Sequence, residues 1–126
     1  MAVQLNHTIV AARDSEESAA FMSEILGLPA PTRIGPFMAV AVDNDVTLDF
    51  ADADGDITPQ HYAFLISEAE FDQIFDRIRA RGLTYWADPM ANRPGEVNHG
   101  HGGRGVYFED PSGHFLEILT RPYGSG

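Results

Sequence analysis

The sequence repeats itself. A histidine at the head of a largely apolar run opens the pattern at His7 and again at His61, 54 residues apart. A Gly-Leu pair that ends a helical stretch follows 20 residues after the first histidine, at Gly27, and 21 after the second, at Gly82. Each half closes on a similar strand, Leu48-Asp49-Phe50 and Leu116-Glu117-Ile118. The interval from histidine to carboxylate is 42 residues in the first half and 56 in the second. The extra length in the second half matches a loop rich in Gly and His. Order, helix stop and closing strand agree, which restricts the chain to a duplicated unit rather than a single meander.

Local signals fill in each half. Residues 4–12 read as a strand. Asp14 is a good N-cap, with Glu16 and Glu17 in the first turn, and Ala20, Phe21, Ile25 and Leu28 keep helical spacing up to the stop at Gly27. A turn-rich segment, 29–36, has room for a short strand at 32–34. Strands at 37–43 and 46–51 flank the tight turn Asp43-Asn44-Asp45. The second half opens with a strand at 60–66. Ser67 and Glu70 form a capping box for a helix at 68–81, with Phe71, Ile74, Phe75 and Ile78 as its apolar stripe. A short strand near 83–87, a long loop at 88–104 and a hairpin of 105–109 with 114–120 complete the chain. The expectation is one α+β domain over 1–126, with module 1 at about 1–56 and module 2 at about 57–126, each strand–helix–strand–strand–strand. Either half alone, at roughly 55 to 65 residues, would be marginal as a separate fold.

Composition narrows the function. There are 19 acidic residues against 8 basic ones, a formal net charge of −11, and every basic residue is an arginine. A nucleic-acid binder needs a positive footprint, so that class is not expected, and an anionic membrane surface is disfavoured for the same reason. No apolar run approaches the ~20 residues of a membrane helix. The start carries no basic segment followed by an apolar one, so a secretory leader is not expected and a cytoplasmic location is. Cysteine is absent, which removes thiolate metal sites and cysteine nucleophiles. The missing lysine removes Schiff-base chemistry.

The four repeat-equivalent residues, His7, Asp49, His61 and Glu117, carry the chemistry. Strand side chains alternate, so Asp49 points away from Leu48 and Phe50, and Glu117 away from Leu116 and Ile118. Both carboxylates therefore belong on the sheet face that the helices leave open. A carboxylate in such a strand costs several kcal/mol to desolvate alone and is tolerated against a cation, an arginine or a wet cleft. Two imidazoles with one or two carboxylates form a nitrogen–oxygen donor set suited to divalent Fe, Mn, Ni, Co or Zn. The bland alternative is that these are ordinary strand histidines and ion-paired acids; repeat equivalence of all four favours the metal.

The opening Leu5-Asn6-His7-Thr8-Ile9-Val10, the second-half Gln60-His61-Tyr62-Ala63-Phe64 and above all the closing hairpin from Val106 to Ile118 resemble the vicinal oxygen chelate superfamily. That superfamily holds glyoxalases, bleomycin-resistance proteins, fosfomycin-resistance thiol transferases and extradiol dioxygenases. The resemblance implies paired βαβββ modules whose curved mixed sheet encloses a metal and substrate cavity, with His7, His61 and Glu117 as ligands. Asp49 falls where glyoxalase-like members carry a fourth ligand, usually a glutamate that is one methylene longer. The metal would act as a Lewis acid on two adjacent oxygens of a small-molecule substrate, in lyase, isomerase or dioxygenase chemistry. Glu117 or Asp49 would move protons. The resemblance also implies a homodimer. The rival reading is a metal-free, bleomycin-resistance-like binding protein, which the acidity suits and the matched histidines do not. A phosphonate-binding thiol transferase is disfavoured by the missing lysine and the negative charge.

Further candidates line the expected cavity. His99 and His101 lie in a glycine-rich loop that could close as a lid or stay solvated, and Arg104 could clamp a substrate carboxylate, although an ion pair with one of the many acids is the more expected role. Phe115 and Leu119 share the Glu117 face; Trp86, with Tyr85 and Met90, is a further wall candidate. His114 points to the other face and reads as a hairpin residue. The run Asp52–Asp56 imitates a calcium loop but lacks its glutamate at the twelfth position, which is Ala63. Ser112 has no neighbouring base and is not expected to act as a nucleophile.

Overall fold

A computed structural model of the chain describes residues 2–124. It divides into two compact units, Met1–Thr58 and Pro59–Gly126. The first runs β1 (His7–Ala12), α1 (Ser15–Leu26), β2 (Thr32–Ile34), β3 (Phe37–Ala41) and β4 (Thr47–Asp52). The second runs β5 (His61–Leu65), α2 (Glu68–Ala80), β6 (Tyr85–Trp86), β7 (Gly105–Glu109) and β8 (Phe115–Leu119), with one 3-10 turn at Gly100–Gly102. Each unit is therefore βαβββ and holds a four-stranded mixed sheet.

The two sheets have the same topology. The first has the order β1-β4-β3-β2 and the second β5-β8-β7-β6, each with one parallel pair and two antiparallel ones. The strand after the helix cannot pair with the opening strand through a tight turn, so the last strand of each unit returns to lie parallel beside the first. The register repeats as well. His7 stands opposite Thr47, and Asp49 lies two residues further along the same face; His61 stands opposite Phe115, with Glu117 two residues on.

Capping chemistry fixes the helices that cover one face of each sheet. The Asp14 carboxylate accepts from the backbone N–H groups of Glu16 and Glu17, and α1 ends at Gly27 in a left-handed conformation (φ +70°). Ser67 and Glu70 close a reciprocal capping box on α2, as their spacing predicts. Burial follows the alternation. In the first unit Val10, Val40, Leu48 and Phe50 are buried with Phe21, Met22 and Ile25 of α1. In the second, Val106, Phe108, Leu116 and Ile118 are buried, as are Phe71, Ile74 and Ile78 of α2. The other face of each sheet carries His7 and Asp49 in the first unit and His61 and Glu117 in the second.

The strand ends differ from the sequence expectation by up to three residues; flanking residues such as Asn6, Val42, Gln60 and Ile66 still make single backbone hydrogen bonds to the neighbouring strand but lie outside the paired ladder. The larger difference is in the 88–104 loop, which is tied down. Asn98 exchanges both backbone hydrogen bonds with Gly105, and its side-chain amide donates to the Ala87 carbonyl. The Asp88 carboxylate accepts from the backbone N–H groups of Asn92 and Arg93. These bonds tie the loop to the ends of β6 and β7. Among the described residues no helix is long and apolar enough to cross a membrane.

Candidate functional site

The open face of the second sheet is built by register. Trp86 pairs with Tyr107, Tyr107 with Glu117, and Glu117 with Ala63, so these four form one row across the sheet on one face. His61 and Phe115 form the adjacent row on that face. Glu117 is 2% exposed, in a strand whose four other residues are all apolar. A carboxylate buried to this degree needs partners on both oxygens, and it has them. Oε1 lies 3.0 Å from His61 Nε2. Oε2 accepts a short hydrogen bond from the Tyr123 hydroxyl.

The protonation pattern follows from the partners. His61 Nδ1 lies 3.1 Å from the carbonyl oxygen of Phe115, which can only accept, so Nδ1 carries the proton. In the neutral ring Nε2 then bears a lone pair, aimed at the carboxylate oxygen of Glu117. Two electron-rich atoms 3.0 Å apart call for a proton shared between them or a metal ion beside them. Backbone-anchored imidazole of this kind is the usual arrangement of metal-ligating histidine. The Tyr123 hydroxyl spends its one hydrogen on Glu117, so the Tyr107 hydroxyl, 2.5 Å away, is the donor to Tyr123. Burial, then the hydrogen bond to Glu117, pushes the Tyr123 phenol well above its ordinary range. Burial also raises Tyr107, opposed by its bond to Tyr123, with a smaller upward push from the Glu117 charge. Both phenols are therefore neutral donors. Tyr107 also stacks on His61, with ring centroids 5.7 Å apart.

The first unit repeats the arrangement with less around it. His7 is exposed, and its Nδ1 donates to Asn6 Oδ1 at 2.8 Å, which again leaves Nε2 as the bare nitrogen. Asp49 is half-buried, pairs with Ile9 and Ala39 in the ladder, and has no hydrogen bond or ion pair among the described residues. Where the second sheet has Tyr107 beside its carboxylate, the first has Ala39. Among the described residues no group of three or more His, Asp or Glu side chains is gathered for a metal. Of the four sequence candidates, the structure brings His61 and Glu117 together, and gives His7 and Asp49 the equivalent register in their own unit.

The remaining candidates take several positions. Phe115 and Trp86 are half-buried on the Glu117 face, with ring centroids 6.1 Å apart. Arg104 is committed elsewhere: its guanidinium donates to Glu68 at 2.7 Å and Asp72 at 2.9 Å on α2 and lies over the Phe71 ring. His99 is exposed beside the 3-10 turn. His101 accepts from the Gly124 N–H and packs its ring against Tyr123. His114 is buried at the hairpin, its Nδ1 accepting from the Gln60 N–H. Sequence reasoning missed Tyr107 and Tyr123. The hairpin register would have found Tyr107, which must stand opposite Glu117 if Glu109 stands opposite Phe115; nothing local marks Tyr123.

Residues 4–118 match the model of the Glyoxalase/Bleomycin resistance protein/Dioxygenase superfamily. The chain belongs to this superfamily. Two solved structures are close over the whole chain. It is 66% identical to oxidase ChaP-H2, with a TM-score of 0.98, covering 100% of this chain and 99% of that one. It is 64% identical to oxidase ChaP-H1, with a TM-score of 0.96, covering 98% of this chain and 100% of that one. A curated relative, glutathione transferase FosA of Serratia marcescens, is 31% identical over 94% of this chain and 81% of its own length. The relatives of this superfamily member are thus enzymes by name, and they differ in the reaction named.

Proposed function

We propose that the chain is a metal-dependent, oxygen-using oxidoreductase acting on a small molecule that presents two adjacent oxygens. The observation that carries this reading is the identity of 64–66% to two oxidases over essentially the full length, twice that to the glutathione transferase. Fold alone would not decide it, since one architecture hosts many reactions. The site chemistry agrees. His7, His61 and Glu117 would hold a divalent ion, with Fe(II) the choice that suits both this donor set and oxygen chemistry. When bound, such an ion supplies Lewis acidity and redox capacity toward a chelating substrate.

The chain's own residues do the rest. The Phe115 carbonyl orients His61 by holding its Nδ1 proton, and Tyr123 holds one oxygen of Glu117. Trp86, Tyr107 and Phe115 present aromatic surface on the same sheet face, which excludes water and favours a flat ligand. A phosphonate-binding transferase reading is not supported by Arg104, which is paired with Glu68 and Asp72.

Asp49, with no partner of its own, is assigned here to proton transfer rather than coordination. Titration of metal-free protein with Fe(II) under anaerobic conditions tests this directly. Wild type and Asp49→Ala are each expected to bind one equivalent with Kd values within about threefold, while turnover with substrate falls by about 10²–10⁴ in the variant. Loss of the equivalent in Asp49→Ala would make Asp49 a ligand and favour glyoxalase-type chemistry instead.

A further inference from the structure

Two segments outside the metal-ligand set meet over Glu117. The chain leaves β8 at Leu119 and turns so that Tyr123, six residues beyond Glu117, brings its hydroxyl back onto Oε2. Tyr123 is 60% exposed as a residue, with only its hydroxyl end drawn in over Glu117, so packing alone does not hold it in place. The Gly/His loop does. The Gly124 N–H donates to His101 Nδ1 at 3.1 Å, and the His101 ring lies 5.2 Å from the Tyr123 ring. His101 occupies left-handed backbone (φ +57°), uncommon for a residue with a side chain. The root of the tail is clamped too. The Thr120 N–H donates to the Arg104 carbonyl, and the Arg104 N–H to Thr120 Oγ1. A Cβ at Gly103 would lie 2.5 Å from Thr120 Oγ1 and 2.9 Å from Arg121 Cγ, so only glycine lets the loop approach this closely. Tyr107, on the opposite side, donates to the Tyr123 oxygen and fixes the direction of the Tyr123 hydrogen.

We propose that Tyr123, braced by His101, is a positioning residue that reserves Oε2 of Glu117 and so offers the carboxylate to a cation through Oε1 alone, beside His61 Nε2. The inference rests on the reading of Glu117 as a metal ligand. It gives the Gly/His loop a role different from lid or ligand: it holds the tail that holds the carboxylate. A carboxylate limited to one oxygen leaves more of the metal's coordination sphere for substrate, and fixing its orientation removes an entropic cost from binding.

The test uses Co(II) as the probe, titrated into the metal-free full-length protein and followed by its visible absorption. Tyr123→Phe removes only the hydroxyl. It is expected to raise the Co(II) Kd about tenfold, the lower end of what outer partners of ligands contribute, and to change the absorption envelope. The thermal midpoint of the metal-free variant should fall modestly, because buried Oε2 loses its hydroxyl partner. A Kd equal to or below the wild-type value overturns the proposal, and so does an unchanged envelope. His101→Ala should raise the Kd in the wild-type background and add nothing in the Tyr123→Phe background. An equal effect in both backgrounds would remove the bracing role. A wild type that binds no Co(II) would contradict the metal-site reading itself, and this inference with it.

Discussion

Glu117→Gln is expected to abolish metal binding without unfolding the protein. Glutamine keeps the shape, still accepts from Tyr123 through its carbonyl oxygen, and can turn its amide N–H toward His61 Nε2, 3.0 Å from the present Oε1. What it loses is the negative charge, the one anionic donor on that sheet face that is both buried and aligned with an imidazole. The affinity should fall by about 10³-fold or more, equivalent to about 4 kcal/mol. His61→Ala should act in the same direction, since it removes the lone pair that Phe115 holds in place. The stability of the metal-free protein should not fall in Glu117→Gln. A carboxylate 2% exposed is a cost to the fold, and the neutral amide relieves it. Calorimetric metal titration and a melt of the apoprotein measure the two effects separately. A Glu117→Gln variant that binds metal at wild-type strength but melts earlier would make Glu117 a structural residue.

The largest expected effect on stability lies on the other face of the same strands. Phe108 is fully buried on β7, next to Tyr107 in sequence but pointing away from it. Its neighbours across the ladder are Tyr85 and Leu116. Phe108→Ala should cost about 3–5 kcal/mol through lost transfer energy and the cavity left behind. For a chain of this length that is a large share of the total stability. Chemical denaturation should show a lower midpoint with the slope retained. A loss below about 1 kcal/mol would mean that the second unit repacks freely, and that the two faces are less separated than the alternation implies.

How far the sequence foretold this depends on the kind of interaction. The duplication was readable because it repeats chemistry at fixed intervals: a histidine entering a strand, a cap, a glycine stop, a carboxylate among apolar neighbours. Those intervals set the register, and His7 and His61 take the same ladder position relative to Asp49 and Glu117. The helix caps at Asp14 and Ser67 were readable because capping is local. Contacts between segments distant in the chain were not. Nothing in Arg-Pro-Tyr-Gly marks Tyr123 as the partner of a buried carboxylate. An ion pair for Arg104 was readable in kind from the many acids, but its partners, Glu68 and Asp72, lie 36 and 32 residues away and could not be named. The Gly/His loop looked loose because its glycines are visible in the sequence and the pairing of Asn98 with Gly105 is not.

The central claim is that the His and carboxylate donors hold a divalent metal. Elemental analysis of the full-length protein, purified without a metal-affinity tag, addresses it most directly when paired with a thermal melt before and after chelation. The account expects close to one equivalent of a first-row divalent metal per chain, and a melting midpoint that falls on chelation and recovers on readdition, because a ligand bound only by the folded state stabilises it. Protein with no stoichiometric metal and a midpoint unmoved by chelation or by added Fe(II), Mn(II), Ni(II), Co(II) or Zn(II) would contradict it.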